Sequence, residues 1–198
     1  MRAASCSRTP PKVSPVQSKM TEFIFKPLEE RDFPLLLEWL QRSHVKEWWN
    51  DGDDTLEKVR IHYSRNVAST KRFILMDSGN GEPLGYFQCY LQPDATVGID
   101  QFLADSGCLN RGLGTAAIRA FIATICRIHS AARIVTDPHP SNARAIRCYE
   151  KVGFRHTGTV TAPACKPAYV MELQGASLAS MVPFGCPGIQ SCTTEEQK

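Results

Sequence analysis

The sequence predicts an α/β protein, and three observations lead to this prediction. The chain of 198 residues suits one domain with a sizeable core. Its content of 42% hydrophobic and 22% charged residues is ordinary for a globular protein. Segments with strand-like and helix-like periodicity follow in the order strand, two helices, three strands, helix, strand, helix and two strands.

The first half of the chain is predicted to hold a strand, two helices and a hairpin. Thr21–Lys26 alternates like a strand, and Asp32 is placed to cap a helix. A second helix is expected to begin at Thr55. Two β-rich segments flank Asn80 and Gly81, a dipeptide that favours tight hairpin turns. The hairpin strands are Arg72–Asp77 and Glu82–Leu91, and the apolar side of the first helix comprises Leu35, Leu36, Trp39 and Leu40.

The second half alternates strands and helices. Thr96–Leu103 is predicted to be a strand, and a glycine-rich turn follows it. The next segment is a helix because its apolar residues recur at helical spacing. Those residues are Ile118, Phe121, Ile122 and Ile125, and the later elements are the strand Arg133–Thr136, the helix Ser141–Val152, and the closing strands Phe154–Val160 and Ala168–Leu173.

The domain itself is expected to span residues 20–173. Residues 1–19 contain four basic and no acidic side chains and no continuous apolar segment, so we expect a disordered leader rather than a signal peptide. Residues 174–198 contain Gly, Pro, Ser and Thr without periodicity, and we expect a loosely ordered tail.

Charge and cysteine content argue against several classes of protein. The formal net charge of +3 combines +4 in the leader with −1 in residues 174–198, and residues 20–173 are neutral, so a nucleic-acid partner is not expected. The eight cysteines form no CxxC pair, which favours buried thiols in a reducing cytoplasm over disulfides or a metal site. No apolar segment reaches transmembrane length, so we expect no membrane partner. The cysteine pattern leads us to expect a cytoplasmic protein without a metal.

A glycine-rich segment from Leu109 to Thr115 opens the long helix. Backbone N–H groups at such a helix start bind anions, because the unpaired amides and the helix dipole both favour phosphate. Gly112 and Gly114 would let the backbone approach a ligand, and Arg111 adds positive charge. An ordinary helix start explains the same residues equally well. The segment lacks the Lys-Ser/Thr ending of a P-loop.

A second motif lies in the helix Ser141–Val152 and just beyond it. Asn142, Ala145 and Tyr149 share one helix face, because they are three and four residues apart. Gly153 suits the left-handed end of the helix. Alternatively, Ser141 is the N-cap and the tyrosine is a core aromatic. Cys148 is expected to face another side of the helix, so an acyl-cysteine intermediate is not expected.

Together these two motifs resemble the GNAT acyltransferase superfamily over about Met20 to Leu173, with Leu109 where the family often has Gln or Arg. The resemblance implies a mixed, mostly antiparallel sheet flanked by helices, with a splayed V between two central parallel strands, one of them Thr96–Leu103. Acetyl-coenzyme A would bind in this V, where backbone amides hold the thioester oxygen. It implies cofactor contacts from Gln101, Phe102, Leu103, Arg111, Gly112, Leu113, Gly114, Thr115, Asn142, Ala145 and Tyr149.

Three further segments, His44–Trp49, Gly98–Gln101 and Thr136–Asn142, resemble aminoglycoside 6′-N-acetyltransferases. A polycationic acceptor needs carboxylates and flat stacking surfaces. The residues from Glu47 to Glu57 supply both, although a solvated acidic loop explains most of these acids. The resemblance implies acceptor contacts from Trp48, Trp49, Tyr63, Asp100 and Asp137.

The resemblance also implies direct transfer within a ternary complex. Asp100 would accept the proton of the 6′-ammonium, directly or through water, and Tyr149 would protonate the leaving thiolate. Alternatively, Asp100 only positions the cation. Two other functions stay open: acetylation of another amine, such as a siderophore hydroxylysine, and non-catalytic sensing of an acyl-coenzyme A. The chain is expected to act as a monomer or homodimer.

Overall fold

The computed structural model describes residues 22–64, 69–161 and 167–181, and these form a seven-stranded mixed sheet with helices on both faces. The spatial order is β1-β2-β3-β4-β5-β7-β6. Among the described strands, β4 and β5 form the one parallel pair. The strands are β1 Phe23–Pro27, β2 Thr70–Asp77, β3 Pro83–Gln92, β4 Thr96–Leu103, β5 Arg133–Thr136, β6 Arg155–Val160 and β7 Ala168–Gln174.

The helices occupy both faces of the sheet, and the sheet separates the core into two clusters. They are α1 Phe33–Leu40, α2 Ser43–Lys46, α3 Leu56–Tyr63, α4 Leu113–Ile128, α5 Ala143–Val152 and α6 Gly175–Ala179. Side chains alternate along β3, so Phe87 packs under α4 and α5 whereas Tyr86 packs under α1 and α3. The two faces therefore present different chemistry at the same strand.

The sheet splays between β4 and β5. Their parallel pairing covers three positions and ends where Gly98 pairs with Val135. Beyond this point β4 continues to Leu103, paired on its other side with β3. The edge of β4 that faces away from β3 is therefore open over Ile99–Leu103, which confirms the V expected between the two parallel strands.

Most predicted elements are confirmed, including the strand Thr96–Leu103 at the same bounds and the start of a helix at Thr55. Thr55 is the N-cap of this helix, and its Oγ1 accepts from the backbone N–H of Lys58. Asp32 precedes α1 as predicted, but its carboxylate binds Lys26 and the Glu29 N–H rather than the helix. The short helix α2 was not predicted, because four residues are too few to establish a helical period.

Two expectations near the ends of elements need correction. Ser141 is not the cap of α5; the Asn142 side chain accepts from the Ala145 N–H at 3.1 Å, because it lies three residues before that donor. Loose order after Leu173 does not hold for α6, since Leu178 is buried against the main core. Residues 1–21 and 182–198, with the predicted leader and most of the tail, lie outside the described residues. No described helix is long and apolar enough to cross a membrane.

Candidate active site

A cleft of about 270 Å³ opens at the splayed edge of β4. Its walls come from β4, from the turn before α4, and from one face of α5. It also reaches α2 and the tryptophans that follow it. The lining residues that the motifs predicted are Trp48, Trp49, Gln101, Phe102, Leu103, Gly112, Gly114, Thr115, Asn142, Ala145 and Tyr149. Two separate sequence motifs therefore meet at one cavity.

The start of α4 has the backbone geometry of an anion site. Gly112 is the N-cap with φ of +85°, in the left-handed region that favours glycine. Asn110 has φ of +61°, so the turn reverses sharply before the helix. The first N–H groups of the helix lack intrahelical partners and lie beside the cleft. Arg111 is exposed, and neither it nor Leu113 belongs to the described lining of the cleft, so their predicted contacts stay predictions.

Tyr149 is the buried phenol of the cleft. Its hydroxyl accepts a hydrogen bond of 2.5 Å from Gln101 Nε2, which links α5 to β4. Burial raises the pKa of Tyr149, so the phenol stays protonated at neutral pH. The Gln101 Oε1 atom is buried without a hydrogen-bond partner among the described residues. The cleft wall thus contains a phenol that keeps its proton and an amide oxygen that lacks a hydrogen-bond partner among the described residues.

Cys148 also lines the cleft, contrary to the expectation that it faces another side of its helix. Its sulfur lies 3.3 Å from Thr115 Oγ1, because α4 and α5 pack side by side here. Burial raises the pKa of the Cys148 thiol, which disfavours the nucleophilic thiolate. The conclusion against an acyl-cysteine intermediate therefore rests on this protonation rather than on orientation.

A basic face on α5 was missed at the level of sequence. Arg144, Arg147 and Lys151 line the cleft and follow one another at three and four residues. None of the three forms an ion pair with another side chain of the described residues. The motif that contains Tyr149 also contains these three basic residues at helical spacing. They lie beside the helix face that was predicted to contact the cofactor.

Asp100 lies on the other side of β4 from Gln101, because successive strand residues point to opposite faces. Gln88 Nε2 donates to its Oδ2 at 2.8 Å. The pKa of Asp100 is raised to about 6, mainly by burial and also by the charges of Asp137 and Asp51. The Gln88 hydrogen bond acts in the opposite direction and lowers this pKa. This carboxyl therefore changes charge close to neutral pH.

Asp137 follows β5 directly, at the position that corresponds to Asp100 on the neighbouring strand β4. Both acids lie two residues beyond the pair Gly98–Val135. Burial raises the pKa of Asp137 as well. The structure thus places two carboxylates on adjacent strands at the mouth of the V, and neither belongs to the described lining of the cleft.

The predicted aromatic residues take different places. Trp48 lies half-buried with its ring 5.7 Å from that of His139. Trp49 packs edge-on against Phe102 and lines the cleft. Tyr63 is only 5% exposed, and its hydroxyl accepts from Trp49 Nε1 at 3.2 Å. Tyr63 supports Trp49 from behind, and the structure does not bring it to the wall of the cleft.

Comparison with known proteins identifies the fold and the relatives of this chain. The family described as Acetyltransferase (GNAT) domain matches residues 29–162. Aminoglycoside N(6′)-acetyltransferase type 1 of Klebsiella pneumoniae is 40% identical over 166 residues, which cover 75% of this chain and 82% of the relative. The lysine N-acyltransferase MbtK of Mycobacterium tuberculosis is 24% identical over 161 residues, covering 73% and 74%. A crystal structure of the aminoglycoside acetyltransferase AAC(6′)-Ib with coenzyme A and kanamycin has a TM-score of 0.72 and 38% identity, covering 80% of this chain and 98% of that one.

Proposed function

The chain belongs to the GNAT acetyltransferase family, and we propose that it transfers the acetyl group of acetyl-coenzyme A to the 6′-amine of aminoglycosides, which confers resistance to these antibiotics. The observation that carries this proposal is the pair Asp100 and Asp137 at the mouth of the V. Two carboxylates at one opening suit an acceptor with several ammonium groups. A neutral or acidic acceptor would gain nothing from them.

Acetyl-coenzyme A fits the cleft by the chemistry of its walls. The left-handed turn at Gly112 directs backbone N–H groups toward a pyrophosphate, and Arg144, Arg147 and Lys151 add positive charge for the remaining phosphate. The open edge of β4 has backbone N–H groups for the amides of the pantetheine arm and for the thioester oxygen. When bound, this cosubstrate supplies the acetyl group as a reactive thioester.

Asp100 acts on the acceptor amine. An amine attacks only when unprotonated, and an amine with a pKa near 10 is mostly charged at neutral pH, so a base must remove its proton. An ordinary aspartate is a weak base for this task. The Asp100 pKa of about 6 lies closer to the pKa of the amine than the pKa of an ordinary aspartate does. Above pH 7, most of the carboxyl is still ionised. The carboxylate takes the ammonium proton, directly or through water, and the free amine then attacks the thioester carbon. The nitrogen loses its second proton to solvent as the amide forms, and Tyr149 regains a proton from solvent after the thiol leaves.

Tyr149 acts on the leaving group. When the carbon–sulfur bond breaks, negative charge appears on the sulfur of coenzyme A. The Tyr149 hydroxyl retains its proton because burial raises its pKa, and it lines the same cleft as the open edge of β4. It donates this proton to the sulfur, and Gln101 holds the hydroxyl in place.

The acceptor is held by the residues around Asp100. Asp137 binds a second ammonium group, and Trp48 and Trp49 offer flat faces to the sugar rings. The free thiols of Cys89, Cys108 and Cys148 fit a protein of the reducing cytoplasm. Acetyl-coenzyme A and the aminoglycoside are the partners this arrangement requires.

Release of thiol from acetyl-coenzyme A in the presence of kanamycin tests the proposal. We expect rapid turnover with kanamycin, no turnover with an analogue that has a 6′-hydroxyl group, and a large loss in Asp100→Asn. The matched control is Asp77→Asn, an aspartate of the same sheet at the far end of β2. If coenzyme A binds but no aminoglycoside supports release, the assignment is wrong, and siderophore hydroxylysines become the next acceptors to assay. Binding without turnover of any amine would instead indicate an acyl-coenzyme A sensor.

A further inference from the structure

A hydrogen-bonded chain of side chains crosses the sheet and ends at Asp100. Gln88 and Asp100 are direct partners on β3 and β4, and Gln88 Nε2 donates to Asp100 Oδ2 at 2.8 Å. Two residues earlier on β3, the Tyr86 hydroxyl donates to Gln88 Oε1 at 2.8 Å. All three side chains lie on one face of the sheet, because the pleat has a period of two residues.

We propose that Gln88 is a positioning residue, held by Tyr86, that aims one oxygen of the Asp100 carboxylate and keeps this base ionised for the acceptor amine. The inference rests on the proposed function, in which Asp100 accepts the proton of that amine. Among the described residues, Gln88 makes the only side-chain hydrogen bond to the Asp100 carboxyl. No other described side chain therefore fixes the direction of this carboxylate through a hydrogen bond.

The donor-to-acceptor direction of these hydrogen bonds is set at the Tyr86 end. Arg72 is the β2 partner of Gln88, and its positive charge lowers the pKa of the Tyr86 phenol, against the larger effect of burial, which raises it. Burial keeps the Tyr86 phenol protonated, and its single proton goes to Gln88 Oε1, because a carbonyl oxygen can only accept. The amide of Gln88 is thereby oriented with its NH₂ toward Asp100, and an N–H donor favours the ionised form of a carboxyl.

The groups that face Asp100 from the surrounding elements work against ionisation. The charges of Asp137, after β5, and of Asp51, before α3, both raise its pKa. The phenols of Tyr90 on β3, Tyr149 on α5 and Tyr86 itself also lie within electrostatic reach, and burial keeps all three protonated. Burial raises the pKa of Asp100 most, and the Gln88 hydrogen bond is the one contribution that lowers it. Loss of this bond therefore shifts the carboxyl toward the protonated form, which cannot accept a proton.

The test is a titration of the Asp100 carboxyl in Gln88→Met, which keeps the length of the side chain and removes the donor. Full-length protein with ¹³C-labelled aspartate is titrated without substrates, and the Asp100 signal is assigned by its absence in Asp100→Asn. We expect an apparent pKa of about 6 in the unmodified protein. In Gln88→Met we expect it to rise by about one pH unit, the size of one hydrogen bond to a charged group. Gln92→Met is the matched control, the same change at an exposed position on the same strand and face.

Kinetics give a second measurement. The acid limb of the kcat/KM profile for kanamycin should move to higher pH in Gln88→Met, with recovery toward alkaline pH, and Gln92→Met should leave the limb in place. Tyr86→Phe keeps the aromatic ring and Gln88 but removes the hydrogen bond that orients the Gln88 amide, so it should shift the acid limb in the same direction. This variant replaces Gln88→Met in the test if Gln88→Met does not fold. An unchanged Asp100 titration in both variants, or a loss of rate that is uniform at every pH, overturns the inference. A shifted titration in a protein that never acetylates kanamycin supports the positioning role and refutes the proposed function instead.

Discussion

Replacement of Asp100 by asparagine removes the proposed base with little change in shape. The structure puts the carboxyl at a pKa of about 6, next to Gln88 and at the open edge of β4. General base catalysis by a positioned side chain contributes roughly 10²–10⁴-fold. We expect kcat/KM for kanamycin to fall by about that factor, which corresponds to roughly 3–5 kcal/mol of transition-state stabilisation.

The pH dependence separates a base from a residue that only positions the cation. In the unmodified enzyme, kcat/KM should fall about tenfold per pH unit below pH 6, because only the ionised carboxylate accepts the proton. In Asp100→Asn this acid limb should disappear from the residual activity. If the variant instead keeps the limb at pH 6 and loses affinity for kanamycin alone, Asp100 is not the base.

The same substitution should alter stability in a direction that geometry predicts. The folded pKa of about 6 is higher than the ordinary 3.8, so ionisation is harder in the folded state than in the unfolded one. Stability is therefore lost as pH rises from about 4 to 6, by up to about 3 kcal/mol, and stays lower above that range. Asp100→Asn avoids this loss, so urea unfolding at pH 7.5 should show a variant at least as stable as the unmodified chain. A clearly less stable variant would contradict the burial of this charge.

Three further predictions concern the cofactor side and the sheet. Tyr149→Phe should lower kcat by about 10²-fold with little change in the KM for acetyl-coenzyme A, because only the proton donor is lost; steady-state kinetics check this, and a change confined to KM would exclude the acid role. Arg147→Gln should raise the KM for acetyl-coenzyme A about tenfold but leave that for acetyl-dephospho-coenzyme A unchanged, since a charge-assisted phosphate contact is lost; Lys58→Gln on α3 is the control. Gly98→Ala should destabilise the fold by about 1–3 kcal/mol in urea, because a Cβ there would overlap the Tyr90 ring; unchanged stability would show that the ring moves freely.

Much of the fold followed from local patterns. The hairpin around Asn80 and Gly81 and the strand Thr96–Leu103 depend on turn chemistry and on alternation, which neighbouring residues define by themselves. The short helices were missed because α2 has four residues and α6 five, which is too few for a helical period. The fold of α6 depends on the burial of Leu178 against distant parts of the chain.

The candidate site was predicted unevenly for the same reason. Gly112, Asn142 and Tyr149 lie in motifs whose spacing already places them at helix starts or on one helix face. Tyr63 shares its sequence neighbourhood with exposed residues, and only packing shows that Trp49 covers it. Gln88 carries no motif of its own. Its contact with Asp100 exists because β3 and β4 pair in one particular register.

The sequence by itself determined the family, the order of elements and the chemical types of the candidate residues, since these depend on spacing along the chain. Only the tertiary structure decided the environment of each group. The early end of β4–β5 pairing exposes one strand edge and places Asp100 and Asp137 together at its mouth. Burial and the neighbouring carboxylates then raise the pKa of Asp100 to about 6. Solvation and charge depend on which distant segments pack together, and no local pattern contains that information.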